Sequence, residues 1–177
     1  MSRAATVLAV AVVALGAVQA AAQTKPDFSG RWTSEPERAA RGSGPRAPRG
    51  DMGSGWGTTI TVSQDANRLT VEYPFFARGD MQPPLKFVYA LDGAESKNSV
   101  MMGRGIQVQA SKTNWEGDKL IITTVHTFDH PANGKPMKVE VKQTLTLESP
   151  KALIVETTRG GVLGGPPSTT RTAYRKI

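Results

Sequence analysis

The chain has 177 residues, 22 Lys+Arg against 15 Asp+Glu, a formal charge of +7, two histidines and no cysteine. The lack of thiols excludes disulfide staples and thiolate centres, so an apolar core has to hold the fold. Once a leader is set aside, the remaining length fits a single domain.

That leader is read from the first residues. Arg3, the apolar run "AATVLAVAVVALGAV" and the small-residue site "VQAAAQ" predict a secretory signal over residues 1–22, cut after Ala22 with Ala20 as the alternative. The remainder, residues 23–177, is expected to be exported, to the periplasm or beyond. It has no run of the ~20 apolar residues that a membrane-spanning helix needs. In that compartment its basic excess points to an anionic envelope surface, or to nothing more than a solvated exterior, and not to nucleic acid.

After the leader, "DFSGRWTSE" puts Phe28, Gly30 and Trp32 on one face of a first strand. Residues 35–57 combine Gly, Pro, Arg and Ser with almost no apolar residue. That composition predicts a long mobile loop, with a helical turn at "EPERAA" at most. Period-two alternation then begins. "TTITVSQ" and "RLTVEY" form a hairpin about "DAN", and "LKFVYAL" aligns Leu85, Phe87, Tyr89 and Leu91. "SKNSVMM" is a weaker strand before a bend at Gly103–Gly105, which is too short to cradle a phosphate. "IQVQASKTNW" and "KLIITTVHTF" flank the turn "EGD". "MKVEVKQTLTLE" sets Met137, Val139, Val141, Leu145 and Leu147 against a wet face of lysines, glutamates and threonines, so a one-residue slip would turn the lysines inward. "ALIVETT", the loop "RGGVLGGPPS" and "TTRTAYRKI" complete the chain. The expected fold class is all-β, an antiparallel up-and-down meander barrel of about 8–10 strands, whose closure removes exposed edges.

The opening strand carries more than alternation. Gly30 and Trp32 match the G-x-W signature with which the first strand of the calycins begins, so the chain resembles that superfamily of lipocalins and fatty-acid-binding proteins. "NWEGDKL" is similar to the W-x-G-x-x-L turn of the fatty-acid-binding branch at Trp115, Gly117 and Leu120, and the terminal "YRKI" to its closing Y-x-K. The resemblance spans most of residues 27–177. It implies a lipocalin-like barrel whose closed end holds Trp32 under a basic residue of the last strand, Arg171 or Arg175. Two departures limit what it carries. The slot of the family's helical lid holds the Arg/Gly/Pro loop. The family's R-x-Y carboxylate grip is here spaced as Arg171 and Tyr174, which an offset of three places on opposite faces.

No nucleophile–base pair, P-loop or H-E-x-x-H stands anywhere in the chain, and no catalytic residue, metal or cofactor is expected. His126, Asp129 and His130 make a poor metal set, because strand residues four apart lie ~13 Å from each other. The two "RGDM" copies, at Arg49 and Arg78, are read as chance loop sequence. The interior is the remaining candidate, with Tyr73, Phe87, Tyr89, Gln143 and Tyr174 at inward parity. Gln143 interrupts an apolar stripe, and its amide needs a partner, either Tyr89 or Tyr174 in a plain core or a ligand group in a cavity. The expected role is non-enzymatic binding of a small, largely apolar, lipid-like molecule. The loops at 35–57, 129–136 and "RGGVLGGPPS" would be lids at the mouth. The alternative is a filled barrel that docks on polyanions or a protein through Arg38, Arg41, Arg46 and Arg49.

Overall fold

The computed structural model describes residues 25–34, 54–74, 84–102, 105–129, 134–161 and 165–177. They form ten strands: β1 (Gly30–Ser34), β2 (Thr59–Gln64), β3 (Arg68–Tyr73), β4 (Leu85–Ala90), β5 (Ser96–Met102), β6 (Gly105–Glu116), β7 (Lys119–Asp129), β8 (Pro136–Ser149), β9 (Ala152–Arg159) and β10 (Ser168–Lys176). All belong to one antiparallel sheet in the order β4-β3-β2-β1-β10-β9-β8-β7-β6-β5, and no helix occurs among the described residues. Except for β4 and β5, each strand pairs with its neighbour in sequence. β1 also pairs with β10, with Trp32 opposite Lys176 and Ser34 opposite Tyr174. The leader, the "EPERAA" turn, both RGDM segments, the lid loops' central residues and the loop arginines lie outside the described residues.

Alternation explains which face is buried. On β3, Leu69, Val71 and Tyr73 point in; on β4, Phe87 and Tyr89 do; on β8, Val139, Gln143 and Leu145 do. Trp32, Leu69, Leu120, Leu145 and Leu153 are wholly buried, and Leu69, Leu120 and Leu153 each stand one residue into their strands, beside the short turns β2–β3, β6–β7 and β8–β9. Burial of such side chains is worth about 1.5–3 kcal/mol each.

The sheet curls until β4 and β5 meet, but no backbone ladder joins them. Side chains close that seam instead. Asn98 Oδ1 accepts the Val88 N–H at 2.8 Å while its Nδ2 donates to the Val88 carbonyl at 3.1 Å. Ser96 Oγ accepts from the Ala90 N–H at 2.7 Å, and the Thr113 hydroxyl donates to the Ala90 carbonyl at 2.5 Å. The Asn98 amide thus takes the place of a peptide group, satisfying edge donors and acceptors that would otherwise be left open. Asn98→Leu keeps the volume but removes both bonds. It is expected to cost about 1–3 kcal/mol and to raise amide exchange at Val88 ahead of the rest of β4, as read by hydrogen–deuterium exchange.

One end of the barrel holds the short turns β2–β3, β4–β5, β6–β7 and β8–β9. The opposite end holds the connections β1–β2, β3–β4, β5–β6, β7–β8 and β9–β10. The three loops expected as lids therefore attach around one mouth. At the closed end, the Trp32 indole N–H donates to the Phe28 carbonyl at 3.0 Å, and Lys176 Nζ sits 5.3 Å from the centre of its ring.

A candidate ligand site inside the barrel

All five residues assigned to the interior from sequence point inward and are buried: Tyr73, Phe87, Tyr89, Gln143 and Tyr174. Tyr73, Phe87 and Tyr89 form a stacked run along β3 and β4, with centroids 5.8 Å and 6.4 Å apart. Gln143 and Tyr174 stand across from them on β8 and β10.

What joins the two sides comes from a stretch that composition marks as loop. Ser54, Gly55 and Trp56 enter the barrel, with Ser54 and Trp56 only 1% and 2% exposed, and Gly57 returns to the surface. The expectation of a long mobile loop over 35–57 is therefore corrected for Ser54–Trp56, which pack inside the barrel. Gly55 and Gly57, on either side of Trp56, have φ of 87° and 79°, a region costly for other residues, so the glycines let the chain fold back and drive the indole inward. The Trp56 ring lies 6.4 Å from that of Tyr89, the two planes tilted by 49°.

The same plug gives Gln143 its partner. The side-chain amide donates to the Ser54 carbonyl at 2.5 Å, so neither Tyr89 nor Tyr174 is the partner that the sequence suggested. The Tyr174 hydroxyl lies 2.5 Å from Ser54 Oγ and donates to the Gly57 carbonyl at 2.7 Å. A β-carbon on Gly55 would lie 3.8 Å from Arg159 Nη2 and 3.9 Å from Gln143 Nε2, so the guanidinium also borders the plug. Opposite Gln143 across the β8–β9 ladder, the Thr157 hydroxyl is fully buried and has no hydrogen bond. Toward the mouth, half-buried His126 is held below the usual imidazole range, first by desolvation and then by the Arg159 charge.

Burial pushes the Tyr174 hydroxyl up to about 12, an effect that the Ser54 hydrogen bond partly offsets, and burial raises Tyr89 further still. In the unfolded chain both phenols ionise near 10. Because the folded pKa values are raised, the contribution of these tyrosines is intact below pH 10 and is lost as pH climbs through 10 toward 12. Each is expected to lower the unfolding free energy by about 1.4 kcal/mol per pH unit in that window. Thermal melts between pH 8 and 11 should show the fall, and Tyr174→Phe should make it shallower.

The barrel-closing assignment is corrected in its cation. Arg171 faces outward and pairs with Glu148, and Arg175 is exposed at the same parity. Lys176 is the residue over Trp32. Gly30 is what makes room for it: a β-carbon there would collide with Lys176 Cε and come within 3.0 Å of Nζ, on a backbone with φ of 147°. Arg171 and Tyr174 do lie on opposite faces, as their spacing requires. Among the described residues no three His, Asp or Glu gather as a metal set.

Ten antiparallel strands, the first laddered to the last and β4 meeting β5 through side chains, with an indole of the first strand under a lysine of the last, make this an up-and-down antiparallel β-barrel. A solved structure to which it is similar is that of a point mutant of the fluorescent protein UnaG, with 20% sequence identity and a TM-score of 0.48 over 85% of this chain and 96% of that chain. No protein-family model and no curated protein matches the sequence.

Proposed function

We propose that the barrel carries a small, largely apolar, lipid-like ligand, seated where Trp56 now lies, and that it does so outside the cytoplasm without catalysing a reaction. The observation that carries this reading is the plug itself. The ten-stranded wall leaves a space that its own side chains do not fill, and a loop residue fills it. That space has the make-up of a ligand pocket, with an aromatic wall of Tyr73, Phe87 and Tyr89 and a few convergent polar groups in Gln143, Thr157 and Tyr174. A ligand taking the plug's place would bury its apolar body at roughly 25 cal/mol per Å². It would present an acceptor to Gln143 and a partner to the Thr157 hydroxyl, which the plug leaves unsatisfied. The leader is what supports export.

A second reading, a filled barrel that docks on an anionic envelope surface through the arginines of residues 35–53, is favoured by one fact: Ser54 and Trp56 of the chain itself are buried in the interior. Titration with N-phenyl-1-naphthylamine, a neutral apolar fluorophore, separates the two. The carrier reading expects a saturable one-to-one rise in emission whose midpoint shifts in Tyr89→Ala and Gln143→Leu. A flat titration in the wild type and also in Trp56→Ala would overturn it.

A further inference from the structure

A second cavity lies at the opposite, closed end of the barrel. It is a cleft of about 390 Å³ lined by Lys25, Asp27, Gln64, Asp65, Leu91 and Trp115, among others. Trp115, the penultimate residue of β6, is stacked with Phe28, ring centroids 6.0 Å apart and planes 15° from parallel, so its ring is fixed. The Lys25 ammonium group rests over that ring, 5.1 Å from its centre.

The two carboxylates of the cleft are fixed as well. Asp27 Oδ1 accepts the Ser29 N–H at 2.8 Å, and Asp65 Oδ1 accepts the Asn67 and Arg68 N–H groups, each at 2.8 Å. Asp65 Oδ2 is 3.8 Å from Arg68 Nε, a long and exposed pairing. Gln64 ties the arm that carries Lys25 and Asp27 to β2, donating to the Pro26 carbonyl at 3.0 Å and accepting from the Phe28 N–H at 3.1 Å. Lysine is therefore the movable part, on a flexible stem, of an otherwise rigid cleft.

We propose that this cleft is a binding site for an organic ammonium ion, and that the Lys25 ammonium group is its tethered stand-in. The recognition chemistry is already assembled: a cation sits on the aromatic face of a cleft that also holds two immobilised carboxylates. An alkylated ammonium is a better occupant than lysine. It is less strongly hydrated, it spreads its charge over methyl groups that pack on the indole and Leu91, and it does not immobilise a four-carbon side chain. The cleft shares no lining residue with the interior set of Tyr73, Phe87, Tyr89, Gln143 and Tyr174.

The test is a titration with choline chloride at constant ionic strength, followed through the indole N–H resonance of Trp115. The neutral isostere 3,3-dimethyl-1-butanol serves as the control. Choline is expected to move that resonance saturably and the alcohol is not. Lys25→Ala removes the internal competitor and is expected to tighten binding about two- to fivefold, the size of one exposed cation–π contact. Asp65→Asn, which keeps the turn's acceptor but not the charge, is expected to weaken it. An equal response to the alcohol, weaker binding in Lys25→Ala, or no saturable shift in either the wild type or Lys25→Ala would overturn the proposal.

Discussion

Trp56→Ala is expected to cost about 3–5 kcal/mol of stability and to create a barrel that regains part of it when an apolar molecule of indole size is added. The first half follows from burial alone, since the side chain is 2% exposed and packs on Tyr89. The second half follows from where the residue comes from. A deletion in a strand would leave a hole bounded by a relaxing wall. A deletion in the plug leaves a space bounded by paired strands, which relax little, so the void persists. Such a void stabilises by mass action when filled, by about 2.7 kcal/mol at a ligand concentration one hundred times Kd. Denaturant unfolding with and without N-phenyl-1-naphthylamine reads both effects. Loss of stability with no recovery would mean that the barrel collapses around the gap.

Trp32→Ala is expected to cost a similar amount, about 3–5 kcal/mol, but with no recovery on adding the probe. Trp32 is wholly buried at the closed end, with its indole N–H on the Phe28 carbonyl and Lys176 above its ring. Leu69, Leu120 and Leu153, each one residue into a strand that starts from a closed-end turn, are wholly buried at the same end. Lys176→Ala separates packing from the cation. It should cost no more than about 1 kcal/mol, the size of an exposed cation–π contact. A larger loss would mean that the lysine stem, and not its charge, seals the barrel end. Guanidinium unfolding midpoints of the three proteins decide this.

The contrast between these two tryptophans shows how far the sequence can be read. Trp32 sits in a strand, at even parity with Gly30, and alternation is enough to send it inward. The same rule places Tyr73, Phe87, Tyr89, Gln143 and Tyr174, because a pleated strand with one buried face leaves no second choice. Followed one step further, it also gives the cation over Trp32. Tyr174 points in, so Lys176 must, while Arg171 and Arg175 must point out. The preference for arginine comes from the family resemblance and not from parity.

Trp56 is illegible for a different reason. Its neighbours are Gly, Ser, Asp and Met, a composition that buries nothing by itself, and its burial depends on a space formed by strands far away in sequence. The one local signal is an aromatic residue between two glycines, which both adopt the left-handed backbone. The partner of Gln143 is hidden with it, since that partner is a carbonyl of the same segment. Asn98 is hidden because nothing in a strand pattern says which neighbouring strands will fail to form a ladder. Its low β-propensity in an inward position is the only trace.

The central claim is that the interior of this barrel is a place for a ligand, and native against denaturing mass spectrometry on the protein purified from its own host tests it most directly. The account predicts a reproducible extra mass of a few hundred daltons that is lost on denaturation. A bare polypeptide mass in both conditions, with no lipid or pigment taken up on challenge, would contradict it.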